Sequence, residues 1–248
     1  MNSTEKHALW REELRVKSYE ADARGVLKPH SLFSYFTEVA GNHATHLGYG
    51  YHDLQHAGYF WVLSRILVEV DRMPRWDETV YLETWPKGVE KLFALRDFLM
   101  TGRGGETLVR ATSAWLLLDT GRSRPHKIDV LPGGIPIRSG VHAIPALPEK
   151  LGAMESLAKC AEHRVTPSDL DVNNHVNNAE YVRWVADCAG GGKTPALSSL
   201  QVNYLDEALL DDTVELSLGK ETGTVLRVEG ASRVRGSKLF QARITWSS

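Results

Sequence analysis

The chain repeats itself. Leu108, Ala111 and Trp115 recur as Leu239, Ala242 and Trp246, each 131 positions further on, and each set follows a glycine-containing turn. Ahead of each set lies the same order of elements: a short strand, a helix, then several amphipathic strands separated by turn signals. In the first copy the pattern predicts a strand over 14–20 and a helix over about 31–47. That helix carries Leu32, Phe36, Val39, Ala40 and Leu47 on one stripe and stops at Gly48. Strands follow near 60–70, 79–85, 92–101 and 108–118. In the second copy the corresponding elements are a strand at 163–166, a helix over 178–189, and strands at 200–205, 213–218, 225–230 and 239–246.

A helix followed by an antiparallel meander can cover the single apolar face of its own sheet, and two such units can pair edge to edge. The periodicity therefore implies an α+β fold with an internal repeat. The boundaries are a first repeat over 1–121, a linker over 122–162 and a second repeat over 163–248. Residues 122–148 are rich in Pro and Gly and carry no sustained period, so they are expected to run over the surface.

The two copies differ most in the stretch leading into the helix. In the second copy it reads Asp169-Leu170-Asp171-Val172-Asn173-Asn174-His175-Val176-Asn177-Asn178, and an extended backbone would turn Asp171, Asn173 and His175 to one face. A carboxylate, an amide and an imidazole converging in this way form a plausible catalytic cluster. Asp and Asn are equally the residues of turns and caps, and spacing alone leaves both readings open. Capping accounts for part of the segment: Asn177 and Glu180 have the spacing of a capping box, and the helix behind them ends at Gly190. The first copy has Asp22-Ala23-Arg24-Gly25-Val26-Leu27-Lys28 instead, without the Asn and His, which implies one catalytic site per chain.

Composition adds exclusions. With 248 residues, 42% of them hydrophobic, the chain can bury one large core or two smaller ones. A net charge of −2 gives no global nucleic-acid footprint. No apolar run approaches the roughly 20 residues of a membrane span, and the first residues lack the apolar core of a signal peptide, so a cytoplasmic protein is expected. Cys160 and Cys188 give neither a disulfide framework nor a metal-ligand spacing, and are read as ordinary packing or surface residues. His43, His46, His52 and His56 fall close together, but Gly48 and Gly50 interrupt them, and no metal is expected.

The string from Asp169 to Asn178, followed by Tyr181 and Trp184, resembles the active-site segment of the acyl-acyl carrier protein thioesterases of plants and bacteria. A second likeness runs through Trp61-Val62-Leu63-Ser64-Arg65 and Val70–Trp76 to Glu83-Thr84-Trp85. A third, looser one is Asn203-Tyr204-Leu205-Asp206-Glu207-Ala208, where Leu205 and Asp206 stand in place of two basic residues. The likeness runs in order from about Trp10 to Trp246.

What the resemblance implies is specific. The fold would be a tandem hotdog, two helices each wrapped by an antiparallel sheet. The reaction would be hydrolysis of fatty acyl-acyl carrier protein to free fatty acid, ending chain elongation, without metal or cofactor. The catalytic positions would be Asp171, Asn173, His175 and Glu207. Either Glu207 or Asp171 would then activate water or attack directly, with Asn173 and His175 orienting that carboxylate and helix N-terminal amides holding the oxyanion. Ala208 occupies the place where many plant relatives have Cys, which favours carboxylate chemistry. The first copy would shape the acyl channel, with Trp61, Leu63, Phe36, Val39 and Leu47 as candidate lining.

The partner would be an acyl carrier protein bearing a fatty acyl-phosphopantetheine, steered by basic residues such as Arg72, Arg75, Arg122, Arg124 and Lys127. The protein would be a monomer or a homodimer, with no nucleic acid and no membrane span. An acyl-coenzyme A thioesterase and a non-catalytic acyl-binding hotdog protein are the alternatives.

Overall fold

The computed structural model describes residues 8–131, 133–190 and 196–247. Their strands form one antiparallel sheet. In chain order they are β1 (Trp10–Arg15), β2 (Tyr59–Val70), β3 (Thr79–Glu90), β4 (Phe93–Gly102), β5 (Thr107–Asp119), the two-residue β6 (Pro125–His126), β7 (Ala158–Arg164), β8 (Leu197–Tyr204), β9 (Thr213–Thr222), β10 (Val225–Ser232) and β11 (Lys238–Trp246). Across the sheet the order is β1-β3-β4-β5-β2-β8-β11-β10-β9-β7, with β6 added to β5. Read outward from the centre, the two halves have the same topology. They join where β2 pairs with β8, from Arg65 opposite Asn203 to Glu69 opposite Ser199.

Two long helices lie against the inner face: α1 (Pro29–His46) and α3 (Asn178–Gly190). A short helix, α2 (Tyr51–Ala57), follows the first. Helix α1 buries Leu32, Phe33, Phe36, Val39 and Ala40, and α3 buries Ala179, Tyr181, Val182, Trp184 and Val185. Helices α1 and α3 contact each other, and one continuous core joins them to Leu82, Phe98, Ala111, Val202, Phe240 and Ala242 of the sheet. Gly230 is needed within it, because a Cβ there would stand 2.0 Å from the Phe240 ring. Among the described residues no helix is long and apolar enough to cross a membrane.

Several sequence-based expectations shift. The first strand ends at Arg15, and Ser18–Glu20 form a 3-10 turn instead of continuing it. Strand β7 begins at Ala158, well before His163, because it is an exposed edge whose sequence has no apolar alternation to announce it. Helix α2 escaped the periodicity reading, since Leu54 is its one buried residue.

The linker lies on the outer face of the sheet and closes over polar side chains. Beneath it, Lys87 Nζ pairs with Asp97 Oδ1 at 3.1 Å and donates to the Ile144 carbonyl at 2.6 Å, while the Ala143 N–H donates to Asp97 Oδ2 at 2.8 Å. Further along, Gln201 and Asn203 donate to the Glu149 carbonyl, and Arg227 to that of Gly152. The strap thus supplies hydrogen bonds to outward-facing groups that would be costly to bury unpaired.

Cys160 of β7 and Cys188 of α3 form a disulfide, with their Cα atoms 6.3 Å apart. This corrects the reading of both as ordinary residues. A separation of 28 positions carries no pairing signal, and only the packing of the helix on the edge strand brings them together.

Candidate active site

The polar segment is a tight loop between a 3-10 turn (Pro167–Asp169) and α3. Leu170 and Val176 bridge its two sides. Asp171 Oδ1 accepts the N–H groups of Asn173 at 2.8 Å and His175 at 3.3 Å, and the Asp171 N–H donates to the His175 carbonyl at 2.8 Å. Asn174 adopts φ +63°, a left-handed conformation that Asn tolerates better than most residues. Asn177 Oδ1 accepts the Ala179 N–H at 2.9 Å, so Asn177 caps α3, but Glu180 pairs with Arg183 at 2.6 Å instead of returning to the cap.

The first copy contains the same loop, bond for bond. Asp22 Oδ1 accepts the N–H groups of Arg24 and Val26 at 2.8 and 2.9 Å, Ala21 bridges Leu27, and Gly25 takes φ +71° at the place of Asn174. Asp171 therefore has a twin, Asp22, in the copy that lacks the His and the Asn. The carboxylate at this position folds the loop in both.

The distinctive chemistry lies between His175 and Glu207, whose Nε2 and Oε2 are 3.1 Å apart with both side chains accessible to solvent. Glu207 stands beyond the end of β8, and its segment is fastened from several sides. The Ala208 N–H donates to Tyr181 Oη at 2.9 Å and its carbonyl accepts the Val176 N–H at 3.3 Å. Arg235 donates to the Glu207 carbonyl and pairs with Asp206 at 3.1 Å, and Ser237 donates to the same Asp206 carboxylate at 2.8 Å. Burial pushes the Tyr181 phenol well above its usual range, so it stays protonated. Tyr181 was read only as part of the resembling segment, without a role, and Arg235 carries no motif, so sequence reading missed it.

Beneath the loop, Asp169 is buried and multiply bonded. Burial would raise its pKa, but hydrogen bonds from Thr166 and His163 hold it below the ordinary value, and Arg183 pairs with it at 3.0 Å.

Asn173 lines a cavity of about 180 Å³ formed mainly by the first copy, with Ala40, Ala44, Leu54, Trp61 and Trp115 in its walls. Of the residues named from the sequence as candidate lining, Trp61 is the one on this cavity's wall. Phe36, Val39 and Leu63 instead lie in the central core, because the stripe that carries the two α1 residues faces the sheet, and Leu47 packs on a smaller cluster around Tyr49 and Leu117. Arg96, also on the cavity wall, donates to His43 Nδ1 at 3.0 Å and Thr84 Oγ1 at 3.2 Å. Burial lowers its pKa to about 10.

The histidines do not converge. His43 is buried beside Arg96, His56 bonds the His52 carbonyl, and no group of three or more His, Cys, Asp or Glu suited to a metal occurs among the described residues. The basic candidates divide. Arg72 and Arg75 line a second, larger cavity, whereas the backbone amides of Arg122 and Arg124 close a turn on Asp119.

A duplicated unit of one helix in one antiparallel sheet, fused into a continuous sheet, defines a double hotdog. Family models agree: the acyl-ACP thioesterase N-terminal domain matches residues 7–130 and its C-terminal domain residues 154–248, so the chain belongs to the acyl-ACP thioesterase family. The chain is 30% identical, over 97% of its length, to a chloroplastic palmitoyl-acyl carrier protein thioesterase of Arabidopsis thaliana, of which the match covers 64%. It resembles the solved 12:0-ACP thioesterase of Umbellularia californica with a TM-score of 0.83 and 26% identity over 97% of both chains. An acyl-ACP thioesterase structure from Bacteroides thetaiotaomicron, at 22% identity and a TM-score of 0.83 over 98% of this chain and 99% of that one, shares the fold.

Proposed function

We propose that the protein hydrolyses the thioester of a fatty acyl group carried on acyl carrier protein, releasing free fatty acid. The observation that carries this reading is the His175–Glu207 contact, with Asn173, two residues before His175, lining a mostly apolar cavity. Glu207 is the base: it takes a proton from water as the water oxygen attacks the thioester carbonyl carbon. His175 Nε2 orients the carboxylate, and the Asn173 side-chain amide supplies a donor for the developing oxyanion. The tetrahedral intermediate then expels sulfur, which takes the proton from Glu207, so the products are a carboxylic acid and the phosphopantetheine thiol.

Asp171 is a positioning residue in this scheme. Its oxygen is engaged by two loop amides, as is that of its non-catalytic twin Asp22. The first repeat houses the acyl chain and the second supplies the catalytic groups. Curated relatives named for this activity support the substrate class. A coenzyme A thioester is the competing substrate, and a panel of carrier-protein and coenzyme A thioesters compared at equal chain length separates the two. Faster turnover of the carrier-protein esters is expected; equal or slower turnover overturns the carrier assignment. A cytoplasmic location, as the sequence suggests, must be reconciled with Cys160–Cys188, since disulfides seldom persist in reducing compartments.

A further inference from the structure

The twin loop around Asp22 borders a cavity of its own. Its volume is about 790 Å³, and it lies where the duplicated architecture places the counterpart of the active site: the loop and start of α1 on one side, the C-terminal half of α3 and the ends of β8 and β11 on the other. Where the catalytic loop has Asn173 and Asn177, this one has Arg24 and Lys28. Arg72, Arg75 and Arg183 also line it, giving five cationic side chains against the carboxylates of Asp22, Asp71 and Asp187. Most of these charges are spoken for. Arg24 pairs with Asp22, Arg72 with Glu78, and Arg183 with Asp169 and Glu180, while Asp71 is held by Arg110.

Lys28 and Arg75 are different. Among the described residues Lys28 Nζ donates only to the Tyr19 carbonyl at 2.9 Å, and Arg75 makes no ion pair or side-chain hydrogen bond, although its charge acts on Glu78. His30 lines the same cavity, and its pKa is lowered by burial and then by the charges of Lys28 and Arg183, with Asp187 acting in the opposite direction. Leu27, Met73, Leu197 and Trp246 give the same cavity an apolar wall.

We propose that this second cavity is a non-catalytic binding site for an amphipathic anion, with a carboxylate or phosphate head at Lys28 and Arg75 and an apolar body against Leu27, Met73 and Trp246. Without the Asn–His pair and a counterpart of Glu207 it cannot hydrolyse what it holds. The chemistry has two sources, a released fatty acid and a phosphopantetheine-type thiol carrier. The choice of both rests on the proposed activity, although the site itself does not depend on turnover.

The test is titration of the full chain with dodecanoate and, separately, with coenzyme A by calorimetry, with the His30 ring followed by NMR. Two dodecanoate sites per chain are expected. Lys28→Glu should weaken one of them about tenfold, as loss of a charge-assisted contact would, and leave thioester turnover unchanged. Ala186→Phe, which narrows the cavity from α3, should do the same. The His30 pKa should rise as the anion fills the site. Dodecanoate saturating the second site while coenzyme A does not would identify the fatty acid as the ligand; the reverse would identify the phosphate carrier. A single site insensitive to Lys28→Glu, with His30 unmoved by either ligand, overturns the proposal. That result would leave the catalytic reading untouched, because hydrolysis is measured independently.

Discussion

The disulfide closes the chain around the candidate active site. Cys160 precedes the loop and Cys188 follows it, so Asp171, Asn173 and His175 all lie within the cross-linked segment. In the chain-entropy account, restraining a loop of 28 residues in the unfolded state contributes about 3.5 kcal/mol at 25 °C. Cys160 is exposed and Cys188 half-buried, so replacing both with Ser adds little loss from burial. For a chain of this size each 1 kcal/mol moves the melting temperature by about 2–4 °C, which gives a fall of roughly 7–14 °C. Differential scanning calorimetry of wild type with and without reductant, beside Cys160→Ser/Cys188→Ser, tests this. Reduced wild type should melt with the double variant, and the double variant should ignore reductant. Equal melting temperatures for oxidised and reduced wild type, or two free thiols by mass spectrometry under oxidising conditions, would refute the reasoning.

Asp171→Asn should retain most thioesterase turnover, because the amide oxygen still accepts the Asn173 and His175 N–H groups, whereas Asp171→Ala should lose at least tenfold, or about 1.4 kcal/mol; a complete loss in the Asn variant would return Asp171 to a direct chemical role. Arg235→Ala should lower kcat by roughly tenfold with little change in KM by releasing the Glu207 segment, and Arg235→Lys should restore part of it. Asp169 titrates below its ordinary pKa of 3.8, so the stability it contributes is present above that value and lost as pH falls through its lower folded pKa. Asp169→Asn should therefore be less stable near neutrality and show a flatter acid limb in urea melts between pH 5 and pH 2.

Fold and site were legible to different depths. The repeat was readable because Leu, Ala and Trp recur at one offset, and the helix stripe from Leu32 to Ala40 points at a core that exists. The loop motif was readable as a cluster, yet spacing could not separate Asp171 from Asn173 and His175 in role. The distinction appears only when Asp22 is seen making the same bonds. Long-range pairings left no local trace, as with Cys160 and Cys188, or Arg235 and the Glu207 carbonyl 28 positions away. Phe36 and Val39 lie in the core and not on the cavity wall, and the sequence could not tell the two apart, since being apolar and helical describes a core residue as well as a cavity wall.

In the proposed reaction Glu207 is the base, held by His175. Its most direct test is single-turnover hydrolysis of dodecanoyl-acyl carrier protein by wild type and Glu207→Gln, with folding checked by circular dichroism and the disulfide by mass spectrometry. Wild type should release the thiol, while Glu207→Gln should bind the substrate, keep its fold and slow the chemical step by about 10²–10⁴-fold, the usual contribution of a general base. Hydrolysis within a few fold of wild type by Glu207→Gln would contradict it.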